Sequence, residues 1–143
     1  MAANEDLLDE LACARLMLRT NACSDRHDID TFLSLLADDA VLYRAGQPFE
    51  GHAAIRGMLE GRPRSRVTRH LMGTPVVELT GPDEARGWAP FVIYDAIDQG
   101  DGEPLPLSLP AIVGDYEQHY RRTNGEWKIV RFEISPVFRP TES

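Results

Sequence analysis

The sequence predicts an α+β fold in which a curved, mostly antiparallel sheet wraps around helices, and three observations carry that prediction. Helix-period patterns cover residues 5–25, the run from 29 towards 38–39, and 51–60. After Arg64 the texture changes to long runs rich in β-branched and aromatic residues, at 67–79, 85–97, 111–123 and 126–138. Between the last two stands Asn124-Gly125, the signal of a two-residue type I′ hairpin.

In the first helix Leu7, Leu11, Ala14, Leu18 and Ala22 recur at intervals of three or four, and Leu8 and Ala12 widen the stripe. The same register carried three residues further reaches Asp25, which is thereby expected to point inward with Leu7. His27 falls on the opposite side and reads as a solvated surface residue. Asp28 or Asp30 can cap a second helix, whose Ile29, Phe32, Leu33, Leu35 and Leu36 form an apolar face ending near Asp38-Asp39. Residues 40–44 read as a strand, Gly46, Gln47 and Pro48 as a turn, and Ala54, Ile55, Met58 and Leu59 as the face of a third helix stopped by Gly61 and Pro63.

The hairpin turn sets a register in which Arg122 faces Trp127, Tyr120 faces Ile129, Gln118 faces Arg131 and Tyr116 faces Glu133. His119, Val130, Phe132 and Ile134 then occupy the other side. The segment 98–110 is rich in Gly and Pro and carries Leu105, Leu107 and Leu109, which reads as a loop and suits a lid over a cavity mouth or an interface segment.

At 143 residues with 43% apolar and 27% charged composition, residues 1–143 are expected to form one domain with its own core. The net charge of −8 argues against a nucleic-acid partner, because Arg62, Arg64, Arg66 and Arg69 form only a short local basic run. No stretch approaches the roughly 20 apolar residues that span a bilayer, and the N-terminus opens on acids, so neither a membrane nor a secretory signal is indicated and a cytoplasmic location is expected. Cys13 and Cys23 lie about 15 Å apart along one helix, beyond disulfide reach, and read as free thiols.

Gly-rich phosphate loops, nucleophile elbows, CxxC pairs and HxxxH spacings are all missing, so no metal or cofactor is expected. What remains are polar groups on apolar elements. Asp25 is either a helix-end acid in a loop or, by register, an inward carboxylate in the last turn, where burial and the helix dipole would raise its pKa and suit acid/base work. His70 is either a satisfied half-buried residue of a strand or, if it points inward beside Asp25, half of a general acid/base pair; Gly73-Thr74-Pro75 could hold a bulge that decides its direction. Tyr43, Tyr94, Tyr116 and Tyr120 are core aromatics by default, yet in a cavity phenols donate to carbonyl or oxyanion oxygens, and Gln118 shares the side of Tyr116. His52, His119, Trp88 and Trp127 read as structural.

Taken together, Ser24-Asp25-Arg26-His27-Asp28-Ile29-Asp30, Asp38-Asp39-Ala40-Val41, Gly51-His52-Ala53-Ala54-Ile55, Thr68-Arg69-His70 and Tyr120-Arg121-Arg122-Thr123-Asn124-Gly125-Glu126-Trp127-Lys128-Ile129 resemble, in order and spacing, the nuclear transport factor 2-like superfamily and its SnoaL-like branch. The resemblance implies a cone-shaped α+β barrel with a deep pocket between the concave sheet and three N-terminal helices, and a homodimer or homotrimer. Similarity to the scytalone dehydratases implies Asp25 and His70 as catalytic residues, while Tyr116 stands where that group has a pocket asparagine and Ser24 where it has a tyrosine. The implied activity is that of a cofactor-free lyase, dehydratase or isomerase acting on a small apolar, cyclic or aromatic, oxygenated substrate. His70 would move the proton, Asp25 would orient it or act as partner acid, and Tyr43, Tyr94, Tyr116 and Gln118 would hold substrate oxygens. The alternatives are a non-catalytic small-molecule-binding module and an accessory subunit of the same fold.

Overall fold

The helix-first, sheet-later order holds in a computed structural model that describes residues 2–141. The elements run α1 (Ala2–Asp25), α2 (Ile29–Ser34), β1 (Leu36–Arg44), β2 (Gln47–Glu50), α3 (Gly51–Glu60), β3 (Arg66–Met72), β4 (Val76–Gly81), β5 (Glu84–Ile97), β6 (Ile112–Thr123) and β7 (Glu126–Phe138). The strands make one curved sheet ordered β2-β1-β7-β6-β5-β3, with β4 also on β5. Its pairs are antiparallel except β1 with β7, and the two ends do not meet, so the cone is open along one side. No helix among the described residues is long and apolar enough to cross a membrane.

Helix α1 lies across the sheet's concave side against β3 and β4, but on a different face from the expected one. Leu7, Leu8, Leu11 and Leu18 are 63%, 65%, 52% and 45% exposed, while Cys13, Leu16, Met17, Thr20, Asn21 and Cys23 are buried. The rotation is one residue, about 100°. Apolar residues line both sides of this helix, and the buried side includes polar groups that the fold satisfies: Thr20 Oγ1 donates to the Met17 carbonyl at 2.7 Å and Asn21 Nδ2 contacts Met72 Sδ at 2.8 Å. Both cysteines are buried free thiols, and burial pushes the Cys13 thiol up to about 12.

Helix α2 is shorter than its apolar run. Asp28 caps it by accepting from Thr31 N at 3.1 Å, and after Ser34 the chain turns into β1, where the Leu35 carbonyl accepts from Ile129 N at 3.0 Å. Leu35 and Leu36 are therefore buried as part of the sheet's entry rather than on a helix face. The turn at Ala45 and Gly46, both with positive φ, is followed by a short strand β2 that Pro48 does not prevent because β2 is an edge. Residues 73–75 split the expected single strand into β3 and β4, which pair in succession along the same edge of β5.

Asn124 and Gly125 have φ of 52° and 77°, as a type I′ turn requires, and Arg122 faces Trp127 and Tyr120 faces Ile129 as expected. Beyond that point the register slips by one: His119 faces Arg131, Gln118 faces Phe132 and Tyr116 faces Ile134. Val130 is the extra residue of a β-bulge. It moves Phe132 and Ile134 to the concave side and Arg131 and Glu133 to the convex side, reversing the alternation expected for that half of β7.

Between these elements lies a core in which the Phe91 and Tyr116 rings stack with centroids 3.9 Å apart and Phe132 meets Tyr116 edge-on at 5.1 Å. Gly114 makes that stacking possible: a Cβ there would lie 2.4 Å from the Ser135 carbonyl oxygen and 3.0 Å from the Phe91 ring. At the other end of the cone Tyr120 donates to Gln118 Oε1 at 2.9 Å, and Trp127 Nε1 to Asp9 at 2.9 Å.

Candidate active site

The C-terminus of α1 positions the first functional group. The helix ends in a Schellman turn, with His27 N donating to the Ser24 carbonyl at 3.3 Å and Asp28 N to the Cys23 carbonyl at 2.9 Å. His27 takes the left-handed conformation this motif demands, with φ of 54°. The turn swings its ring back, so His27 lines the cavity and its Nε2 donates to the Arg66 carbonyl at 3.1 Å. The expected solvated His27 is thus corrected: extrapolating helical register past Asp25 fails because the helix stops there.

Asp25 is the last residue of α1 and projects from the turn onto β3. His70 Nδ1 lies 2.5 Å from Asp25 Oδ1, and the His70 backbone N–H donates to Oδ2 at 3.1 Å. Thr68, two residues earlier on the same strand face, donates from Oγ1 to Oδ1 at 2.8 Å. A carboxylate only accepts, so the short contact places the ring proton on Nδ1 and leaves Nε2 as the nitrogen free for the cavity. The two side chains are 16% and 9% exposed.

Burial alone would raise the Asp25 pKa, as the sequence suggested. The hydrogen bonds from His70 and Thr68 and the His70 charge outweigh it, and the pKa lies below the usual carboxylate value. Asp25 is therefore ionised, its two oxygens holding the His70 ring, the His70 backbone N–H and the Thr68 hydroxyl. Behind it, Arg62 Nη1 donates to Thr68 Oγ1 at 3.3 Å, and Arg62 Nη2 donates to the Ser24 carbonyl at the end of α1. The guanidinium ties α1, the segment after α3, and β3 together around the Asp–His pair.

A cavity of about 170 Å³ opens in front of this pair. Phe32, Leu42, Leu59, Ile93, Ile112, Phe132 and Ile134 give it apolar walls, and Tyr116 joins them. Engineered apolar cavities of about 150 Å³ hold benzene, so the space suits a one-ring molecule. Burial and the Asp25 charge push the Tyr116 hydroxyl's pKa up, so it remains a donor. Among the described residues no group of three or more His, Cys, Asp or Glu side chains is arranged to hold a metal ion.

Of the six site residues expected from the sequence, His70 and Tyr116 line the cavity, and Asp25 stands behind its wall, bonded to His70 and Thr68. Tyr43 lies outside it, because strand alternation that turns Leu42 inward sends Tyr43 to the convex face, where the Arg131 guanidinium stacks 4.5 Å from its ring centre. Tyr94 is likewise on the convex face, paired with Arg69, while its neighbour Ile93 faces in opposite His70. Gln118 faces in but below the cavity, fully buried, with Oε1 taken by Tyr120 and Nε2 without a partner among the described residues. His52 and His119 are structural, bonded to the Leu36 and Ala37 carbonyls and to Glu117.

Sequence reasoning passed over Thr68, Arg62, Arg44 and Arg66, which all line the cavity. Thr68 was within reach, since a residue two before His70 on a strand shares its face. In the sequence Arg62 and Arg66 belong to a local basic run and Arg44 to the end of a strand, and only the tertiary fold brings the three to one cavity.

The sequence profile of the SnoaL-like domain matches residues 5–133. Among solved structures, a protein provisionally named scytalone dehydratase from Novosphingobium aromaticivorans superposes with a TM-score of 0.78 at 17% identity, covering 97% of this chain and 99% of that one. An NTF2-like protein with a cystatin-like fold from the same organism gives 0.77 at 22% identity over 95% of this chain and 87% of its own. A hexachlorocyclohexane dehydrochlorinase, LinA type 2, gives 0.76 at 17% identity over 92% and 87%. At such identities these likenesses speak for the fold alone. No curated protein sequence matches the chain.

Proposed function

The chain belongs to the SnoaL-like domain family, and from that premise we propose that it is a lyase of the dehydratase type, or an isomerase, acting by proton transfer on a small cyclic or aromatic oxygenated substrate. The observation that carries this reading is the 2.5 Å contact between an ionised Asp25 and Nδ1 of His70, which lines a cavity with apolar inner walls. Asp25 fixes the ring orientation and tautomer, so His70 Nε2 meets the substrate as a base and, once protonated, balances the negative charge of Asp25.

With a carbonyl compound in the cavity, His70 Nε2 takes the proton from the adjacent carbon and the electron pair moves onto the carbonyl oxygen. The Tyr116 hydroxyl, still protonated, donates to that oxygen as charge develops. Returning the proton to another carbon completes an isomerisation; giving it to a β-hydroxyl that leaves as water completes a dehydration. Apolar walls keep bulk water from the enolate. Names of structural neighbours support this class of chemistry, since one is called a scytalone dehydratase and another removes hydrogen chloride from hexachlorocyclohexane. A homodimer or homotrimer is part of the same reading.

Exchange of the α-hydrogens of small cyclic ketones for deuterium in D₂O, followed by proton NMR, tests it before the physiological substrate is known. The wild type is expected to catalyse exchange, His70→Ala to abolish it, and Asp25→Asn to reduce it strongly. Exchange or turnover unchanged in both variants would overturn the proposal, and binding without any exchange would leave a ligand-binding module of the same fold.

A further inference from the structure

The charge at the open end of the cavity differs from that of the chain. In a protein with 23 acids and 15 Lys and Arg, three arginines line one cavity: Arg44 at the end of β1, Arg62 after α3, and Arg66 at the start of β3. Arg66 is neutralised by Asp95 at 2.6 Å. Arg62 is half-buried and spends two of its five donors on the Ser24 carbonyl and the Thr68 hydroxyl, neither of which is charged. Arg44 makes no ion pair among the described residues and is exposed at the rim.

The acid on the cavity lining, Asp28, and Asp25 behind it do not quench this charge. Asp25 has its oxygens occupied by His70 and Thr68, and Asp28 stands exposed, capping α2 through Thr31. The histidines present, His27 and His70, add no negative charge. Arg44, Arg62 and Arg66 line the one cavity, and burial followed by the charges of Arg66 and Arg44 lowers the pKa of Arg62, with Asp25 opposing. Free donors of two guanidiniums thus face a cavity of one-ring size with His70 further along its wall.

We infer that the ligand of this cavity carries a carboxylate, held at the open end by Arg44 and the free donors of Arg62 while its ring lies among the apolar walls before His70. The inference rests on the reading of this cavity as the substrate site and narrows it to small cyclic or aromatic acids. Guanidinium and carboxylate match in planar, two-point hydrogen bonding, so the recognition is geometric as well as electrostatic.

Isothermal titration of the intact protein with benzoate and with benzamide, equal in size and differing in charge, tests it without requiring turnover. Benzoate is expected to bind about tenfold tighter than benzamide, a preference that shrinks as salt rises. Arg44→Met should cut the preference to about twofold, and Arg44→Glu should reverse it. The rim position of Arg44 lets both variants fold. Benzoate binding no tighter than benzamide, including the case where neither binds, overturns the inference, as does a preference that survives both substitutions. His70→Ala keeps the preference while losing deuterium exchange, so failure of the proton-transfer proposal and failure of carboxylate recognition are read separately.

Discussion

Replacing Asp25 by Asn isolates what the carboxylate does, because the side chain keeps its shape and loses its charge and one acceptor. In the native site three donors converge on it: the His70 ring at 2.5 Å, the His70 backbone N–H at 3.1 Å, and Thr68 at 2.8 Å. An amide offers one oxygen and an NH₂ that itself donates. Either the backbone and Thr68 donors lose a partner or the His70 ring does, and one unsatisfied buried donor costs about 1–3 kcal/mol of stability. If the amide nitrogen faces Nδ1, the ring adopts the other tautomer, with its proton on Nε2 and no base towards the cavity. In catalytic triads such a tautomer error lowers kcat on the order of 10⁴-fold.

Nitrogen-detected NMR of the imidazole reads the tautomer without a substrate, and urea denaturation reads the stability. The acid limb gives a further check. The folded pKa of Asp25 is depressed below 3.8, so its contribution to stability is present above that pH and is lost as pH falls through the folded value. Asp25→Asn should flatten this part of the stability curve. An unchanged His70 tautomer together with unchanged exchange and an unchanged acid limb would refute the reasoning.

Other outcomes follow from the same geometry. Thr68→Val removes a donor to Asp25 and the acceptor of Arg62, and should cost about 1–2 kcal/mol in urea while raising the Asp25 pKa in carboxyl NMR titrations. Tyr116→Phe should lower exchange activity by roughly 10²-fold, since it removes a donor to a developing oxyanion; Tyr43→Phe and Tyr94→Phe, on the convex face, should leave it unchanged. At His27, with φ of 54°, Gly should be more stable than Ala by about 1 kcal/mol in thermal melts, because both lose the Arg66 contact and only Ala retains the left-handed strain. Gly114→Ala should destabilise by about 1–3 kcal/mol, and disturb the Phe91–Tyr116 stack in aromatic NMR spectra, because its Cβ meets the Ser135 carbonyl.

The fold was legible where local rules act alone. Four long strand runs and Asn124-Gly125 produced β3 to β7 and their hairpin, and Asp28 capped α2. Periodicity showed that α1 has a face but selected the leucine-rich one, since hydrophobicity cannot rank two apolar faces when the sheet accepts Thr20 and Asn21 through specific bonds. Alternation could not reveal the extra residue at Val130, which has the same β-branched character as Ile129 before it. Asp25 and His70, 45 residues apart, were linked by family resemblance and not by spacing. The stripe that placed Asp25 inward was the wrong stripe. Asp25 reaches His70 from one turn after buried Asn21. Tyr43 and Tyr94 lie outside the cavity because a phenol's chemistry says nothing about which way its strand position points.

The bulge at Val130 has a consequence for how this cavity can change. Before it, the concave side of β7 shows odd-numbered residues, Trp127 and Ile129; after it, even-numbered ones, Phe132, Ile134 and Pro136. Were Val130 taken into regular alternation with no bulge, Arg131, Glu133 and Ser135 would face the ligand instead, without a single substitution among them. The polarity of that wall is therefore encoded in how the strand is registered as much as in residue identity. Loss of the bulge with the residue count unchanged would switch an apolar pocket to a polar one, whereas deletion of Val130 along with it would leave Phe132 and Ile134 facing in, a distinction that comparison of side chains alone would miss.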